Sequence, residues 1–373
     1  MDETKIPTDS KLVQLVNDTL EEDHYPARAT SMSAMSGGLC HQNRLVQMSD
    51  ESQLVLRWLY AGDHPIPARR DDHIFGGKIS IFREAKVLEL ARTAGLPASK
   101  VIVVADKGER GKILLVEKVN GVHFRDYLEK HNHSLESFLR GLNHLGATMA
   151  KAHSVHFDSF GAIQPEGIIP GVKRYGEYLE KIMNRHFTDH LDIVQRYFNP
   201  PELKEVFNYL KKVIHYANND LMHDHVKPSF VLYDQHARNF FVHPETGVPT
   251  GFFDLEYGQS AHSNLEFGSL GVQLFGFYSA EYAKPAREAF MQGYVESHGP
   301  TEVENPMLET IHTVNHIFSA VKSYDGFNDG IRNDWSKAFA KMILGIVREE
   351  KVNCYDAFTD LIRSVTKQPV RPN

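Results

Sequence analysis

The stretch from Ser229 to Tyr257 constrains this chain more than any other. Ser229-Phe230-Val231-Leu232-Tyr233 is apolar and runs into Asp234-Gln235-His236-Ala237-Arg238-Asn239. Phe240-Phe241-Val242 reads as a second strand and Pro244-Glu245-Thr246-Gly247 as a turn. Val248 to Phe253 is the return strand, ending in Asp254-Leu255-Glu256-Tyr257. The turn makes this a β-hairpin. A hairpin brings Asn239, before its first strand, close to Asp254, after its second. Asp234 lies five residues before Asn239 on the same loop. Two oxygen ligands and a third carboxylate thus converge at one end of the hairpin. Singly, Asp and Asn are ordinary turn formers; together they make a site. Oxygen-only ligation suits a hard divalent ion such as Mg²⁺, which takes one or two carboxylates and completes its shell with water and phosphate. A free carboxylate beside that ion would accept a proton from an attacking hydroxyl, the arrangement phosphoryl transfer needs.

Composition bounds what surrounds this site. A chain of 373 residues predicts two domains or two lobes, with core enough to need no staples. Only Cys40 and Cys354 are present, which excludes a disulfide framework and points to a reducing, cytoplasmic setting. No run approaches the ~18 apolar residues of a membrane helix, and Met1 to Ser10 lacks a signal-peptide pattern. Neither a membrane nor a nucleic acid is expected as partner. Lys plus Arg total 41 against 48 Asp plus Glu, a net charge of −7. Residues 1–120 carry 16 basic and 17 acidic side chains, net −1; residues 121–373 carry 25 and 31, net −6. A nucleic-acid binder needs a basic face, which an acidic larger half opposes.

The chain changes character near residue 120. Before it, Lys11 to Leu20 has helical spacing, Gln42 to Met48 and Gln53 to Tyr60 read as strands, and Ile81 to Ala94 is an amphipathic helix. Val101 to Ala105 and Lys112 to Val119 read as two further strands around a Gly turn. After it, helices are expected over Ser134 to His156, 173–186, 202–218, 280–297, 305–323, 334–350 and 354–366, with the hairpin as the one β-rich island. The expected division is therefore 1–118, a smaller sheet-containing lobe, and 119–373, a larger helical one.

With Asp234, Asn239 and Asp254-Leu255-Glu256-Tyr257 in place, the chain resembles the aminoglycoside phosphotransferase and choline kinase superfamily. That family's catalytic segment reads H-x-D-x-x-x-x-N, then a strand hairpin and D-x-D/E. The resemblance implies an α+β, two-lobed protein-kinase-like fold, with an antiparallel sheet in the small lobe. It implies an ATP-dependent transfer of the γ-phosphoryl group to a hydroxyl of a small molecule, with ATP or another nucleoside triphosphate and Mg²⁺ between the lobes. Asp234 would be the catalytic carboxylate, and Asn239 and Asp254 the Mg²⁺ ligands. Ser36-Gly37-Gly38 resembles the family's nucleotide loop, where small residues let backbone N–H groups approach phosphate. Arg57 stands where kinases place a phosphate-binding Lys, and a guanidinium grips phosphate bidentately. Glu84 matches the helix glutamate that pairs with it. Leu114 to Gly121 resembles the interlobe hinge, with adenine bonding the backbone at Glu117 and Val119.

The pattern departs from the family at one notable place: Leu232 stands where the family has His, and Tyr233 where a small residue is common. A kinase-like protein that binds nucleotide or a partner without catalysis, and an adenylyltransferase on the same fold, are the other readings. The acidic larger lobe favours an amino-bearing or cationic acceptor, resembling an aminoglycoside, choline or an amino alcohol, with Glu256 and Glu266 facing its amine. Aromatic residues such as Phe318, Tyr324 and Trp335 are candidates for enclosing it, though core packing is their commoner role. His223-Asp224-His225 reads as a surface or supporting cluster. The chain lacks G-x-x-x-x-G-K-[ST], H-E-x-x-H, paired C-x-x-C and G-x-S-x-G. A monomer or homodimer is expected.

Overall fold

The structure, a computed structural model, describes residues 8–35, 42–59, 71–72, 74–218, 226–275, 278, 280–299, 306–325 and 330–352. The first part opens on helix α1 (Asp9–Glu22), which buries Leu12, Leu15, Val16 and Leu20 on one stripe. Five antiparallel strands follow: β1 (Ala29–Ala34), β2 (Gln42–Met48), β3 (Gln53–Leu59), β4 (Val101–Asp106) and β5 (Lys112–Glu117), in the order β1-β2-β3-β5-β4. Helix α2 (Ile81–Thr93) crosses between β3 and β4. Ser80 caps it, its Oγ accepting the Arg83 N–H at 3.2 Å and satisfying one orphan donor of the first turn.

The chain then enters β6 (Val122–His123), α3 (Phe124–Lys130) and the long α4 (Leu135–His153), whose N-cap is Ser134, the first residue of the expected helix. After β7 (Phe160–Gln164) and β8 (Gly167–Val172) come α5 (Tyr175–Asn184), α6 (Leu191–Val194) and α7 (Pro200–Ala217). Strands β9 (Ser229–Val231), β10 (Phe240–Val242), β11 (Pro249–Phe252) and β12 (Gln259–Ala261) make up the expected β-rich stretch. They divide between two sheets, β11-β10-β6 and β8-β7-β12-β9, so the hairpin is not the one β element of the larger part. Helices α8 (Asn264–Leu270), α9 (Ala280–Glu296), α10 (Pro306–Asp325) and α11 (Gly330–Glu349) complete the described chain. The architecture is the expected α+β one, an antiparallel sheet followed by a mainly helical part. The expected helix at 354–366 lies outside the described residues. Among the described residues, no helix is long and apolar enough to cross a membrane.

The hairpin is present as read: β10 and β11 are antiparallel, with Phe240 opposite Phe252 and Phe241 opposite Gly251. Gly247 supplies the left-handed turn at φ 75°, which a side chain would oppose. On its other edge β10 pairs with β6, Phe241 facing His123. The connector after β5 therefore feeds directly into the sheet that carries the hairpin.

Among the described residues, three apolar clusters hold the molecule. One lies between α1 and the outer face of the five-stranded sheet, around Leu15, Leu56 and Ile113. One fills the helical part around Tyr178, Val213, Ile317 and Ile343. The third spans the boundary expected at residue 118: Ile81, Val87, Leu88 and Val116 join Phe124, Phe138, Leu145, Phe240 and Phe290. One face of α2 is thus buried with residues of the larger part, which fixes this helix relative to the hairpin.

Candidate active site

The site is assembled from the loop between β9 and β10, the residues after β11, strand β3 and helix α2. Asp234 is half-buried and Asn239 buried on the loop. The Asn239 side chain donates from Nδ2 to the Asp234 carbonyl at 2.8 Å, and its backbone N–H donates to His236 O at 2.8 Å. With Nδ2 so committed, Oδ1 is the atom Asn239 offers to other partners. The hairpin closes the loop: Phe253 N–H donates to Asn239 O at 3.2 Å, setting Asp254 beside it.

Asp254 connects this end to the sheet. Arg57, in β3, donates from Nη2 to Asp254 Oδ1 at 2.8 Å, and from Nη1 to Glu84 Oε1 of α2. The backbone of Asp254 and Leu255 also favours the charged form of Glu84. Burial opposes the charge on Arg57, but Glu84, Asp254 and Glu256 outweigh it and hold the guanidinium firmly protonated. Burial pushes Glu84 up to about 7, against the pull of Arg57. The Arg57 and Glu84 side chains are 10% and 1% exposed, whereas Asp254 keeps 40%, so the open end of the chain is the carboxylate expected to meet a cation.

Two residues here hold left-handed backbone without being glycine: Tyr233, φ 77°, immediately before Asp234, and Asp254 itself, φ 59°. Such conformations cost about 1–2 kcal/mol each and persist only where surroundings impose them. At Tyr233 the surroundings are identifiable. Glu266, on α8, is fully buried and accepts the N–H groups of Leu232 at 2.6 Å and Tyr233 at 3.1 Å. The Tyr233 ring packs edge-on to His316 of α10 at 5.2 Å and tilts against Tyr257 at 6.2 Å.

This corrects the expectation that Glu266 faces an acceptor amine. The carboxylate lies beneath the loop, with its oxygens on the backbone and His153 Nε2 4.0 Å away. Glu256 is also buried, and its charge acts on Arg57. Glu117, at the end of β5, is exposed; its N–H donates to Lys100 O at 2.9 Å and its side chain lies 3.7 Å from Lys100 Nζ. Val119 is half-buried and lies so close to Gly251 that a Cβ there would come within 2.3 Å of Val119 Cγ1. Phe318 is buried core, stacked on His186 at 5.0 Å, and Trp335 packs edge-on to Phe339 at 6.3 Å. Ser36, Gly37, Gly38 and His223-Asp224-His225 lie outside the described residues, as does the Tyr324 side chain.

Sequence reasoning missed two groups around this site. Arg83, next to Glu84, is fully buried and donates to Asp72 Oδ2 and to Gly258 O, each at 2.9 Å. It ties α2 to the chain just after Asp254. The second group is Gln273, whose Nε2 lies 3.0 Å from Asp234 Oδ1. No motif marks either. The nearest signal in the sequence is the spacing of His312, His316 and Ser319 on α10, polar residues at one helical face that the structure buries.

Comparison of the sequence with family models finds no match, and comparison with curated protein sequences finds none either. Comparison of the fold does. The aminoglycoside phosphotransferase APH(4)-Ia superposes with a TM-score of 0.59 at 16% identity, over 89% of this chain and 98% of that one. A thermostable form of that enzyme is known in a ternary complex with AMP-PNP and hygromycin B. A provisionally assigned aminoglycoside phosphotransferase of Ralstonia eutropha JMP134 gives a TM-score of 0.61 at 11% identity, over 90% and 98% of the two chains. A provisionally assigned fructosamine-3-kinase of Thermobifida fusca YX-ER1 gives 0.57 at 14%, over 91% and 96%. The chain therefore has the kinase-like fold of the aminoglycoside phosphotransferases, across nearly the whole length of these structures.

Proposed function

We propose that this protein is an ATP-dependent phosphotransferase that moves the γ-phosphoryl group to a hydroxyl of a small molecule. The observation that carries this reading is the convergence of Asp234, Asn239, Asp254, Arg57 and Glu84. Asn239 bonds Asp234 and the backbone of Phe253, and Asp254, the next residue, bonds Arg57, which bonds Glu84, so that the loop, the hairpin, the sheet and α2 meet. Arg57 would grip the inner phosphates, with Glu84 fixing its fork. Glu117 has committed its N–H to Lys100, so its carbonyl and the Val119 N–H are the hinge groups a base would meet.

The donor set fits Mg²⁺: one carboxylate, Asp254, and one carboxamide oxygen, Asn239 Oδ1, with water and phosphate to complete the shell. When bound, the ion would neutralise charge on the phosphates. The chemistry left to the chain is positioning. As the acceptor oxygen bonds the γ-phosphorus, the bond from that phosphorus to the β,γ-bridging oxygen breaks and the nucleoside diphosphate leaves. The hydroxyl proton passes to Asp234. Leu232 does not supply the family histidine, and the hydrogen bonds that the Leu232 and Tyr233 N–H groups donate to Glu266 are what hold this loop instead.

Since Glu266 and Glu256 are engaged elsewhere, support for an amino-bearing or cationic acceptor rests on the net −6 of residues 121–373. The cysteine count supports a cytoplasmic setting. The test is an ATP-consumption screen of hydroxylated small molecules, amines and neutral polyols alike, with products weighed by mass spectrometry. Products heavier by one phosphoryl group are expected. Asp234→Asn should keep nucleotide affinity while turnover falls by about 10²–10⁴-fold. Full turnover in that variant, or products carrying AMP, would sink the proposal.

A further inference from the structure

Helix α8 does not simply end at Leu270. It widens into a π-helical turn over Gly271–Phe275. Such turns insert a residue into a helix, re-aim the side chains and recur at functional sites. This one carries Gln273. Its Nε2 lies 3.0 Å from Asp234 Oδ1, 3.4 Å from Ser269 Oγ and 3.5 Å from His316 Nε2. His316, one helix away on α10, is buried, and burial brings it down to about 4 against the pull of Asp234, so it stands neutral behind the pair.

Both side chains make these approaches at a cost. Gln273 Oε1 and His316 Nδ1 are buried without a hydrogen-bond partner among the described residues. An apolar side chain of similar size would fill either position and leave nothing unsatisfied. A packing role therefore does not account for a glutamine and a histidine here. Their meeting point is the Gln273 amide nitrogen, which approaches Asp234 Oδ1 on one side and His316 Nε2 on the other.

We propose that Gln273 is a positioning residue for Asp234 and that His316 acts through it. The inference rests on the phosphotransfer reading above. The Gln273 amide donates to Oδ1 and fixes the rotation of the carboxylate, leaving Oδ2 to meet the acceptor hydroxyl. His316 Nε2 orients the amide from behind, and Glu266 holds the backbone of the same loop.

The experiment uses the full chain with ATP and whichever acceptor the screen identifies. Gln273→Leu should lower kcat about 10- to 100-fold, the loss expected when a reacting group is misplaced. KM for ATP, nucleotide affinity and melting temperature should stay near wild type. Gln273→Glu, isosteric but unable to donate and repelled by Asp234, should lose more kcat than Gln273→Leu, and it keeps the test open should the leucine variant fold poorly. Adding His316→Leu to Gln273→Leu should cost no further kcat, because residues acting as one unit are not additive. Wild-type kcat in both Gln273 variants would overturn the inference. So would losses in kcat, KM for ATP and melting temperature that move together, and a fully additive double variant would remove His316 from it. A wild-type protein that transfers phosphate to no acceptor is a separate result: it removes the phosphotransfer reading itself, before any variant is compared.

Discussion

Tyr233 shows how much one backbone angle demands of its neighbours. A bulky residue at φ 77° is held by two backbone hydrogen bonds to a carboxylate that sees no solvent. Glu266→Gln keeps the shape but turns one oxygen into a donor facing N–H groups. Leaving such donors unsatisfied costs about 1–3 kcal/mol. Urea denaturation should register that loss, and turnover should drop with it; unchanged stability would mean the carboxylate is not what holds the loop. Arg57 makes a second residue-scale case. Its fork reaches Glu84 with one nitrogen and Asp254 with the other. Lysine offers a single point charge and cannot span both. Arg57→Lys should weaken nucleotide binding by about tenfold in a titration, equivalent to ~1.4 kcal/mol, and equal affinity would argue that the fork is dispensable.

Among the elements, α4 and α9 are the pair whose contact is least forgiving. A Cβ on Gly146 would meet Phe290 O at 2.0 Å, and one on Gly293 would meet Asn143 O at 2.0 Å. Both obstacles are backbone, so neither helix can yield by turning a side chain. Gly146→Ala gains about 1 kcal/mol of helix propensity, yet overpacking of about 1–3 kcal/mol or more works against it. Calorimetry should show a lower melting temperature, and a rise would contradict the packing. The elements also differ in how visible they are in the sequence. The hairpin and the long helices carry their period openly. Strand β1 does not: Ala29–Ala34 buries only its first residue and leaves mostly polar side chains outside, so no alternation marks it. Strand β8 contains Pro170 and two glycines and is mostly exposed. Helix α3 spans seven residues, too short for a period to show.

For the molecule as a whole, the abundant histidines become a statement about acid. His262 and His312 stack at 5.1 Å in the helical part, and Tyr175 Oη lies 2.8 Å from His312 Nε2. Burial lowers His262 to about 3 and His316 to about 4, and it lowers His312 too, with His262 adding to the effect. Each would titrate near 6.5 in the unfolded chain. Between these values the unfolded state binds more protons, so stability is complete above about pH 6.5 and drains away as pH falls toward the folded values. At pH 5 the loss is about 2 kcal/mol each for His262 and His316. Melting temperatures should be flat from pH 8 to 7 and fall steeply from pH 6.5 to 5. A flat profile down to pH 5 would show that these rings are not buried as neutral groups.

The sequence by itself determined the loop from Asp234 to Asn239, the hairpin and Asp254 after it, along with the layout of a sheet followed by helices. Those features are local: ligand spacing on one loop and the return of a tight turn follow from chain geometry over a few residues. It also pointed to Arg57 and Glu84, whose meeting with Asp254 closes a separation of 197 residues. Only the tertiary structure decided what Glu266, Gln273, His316 and Arg83 do. A carboxylate bound for the surface and one destined to sit under a loop look identical in a sequence. Which of them is buried depends on how α2 and α8 pack with the hairpin and α10 against the loop before it, and that packing is set by apolar contacts spread over the whole chain.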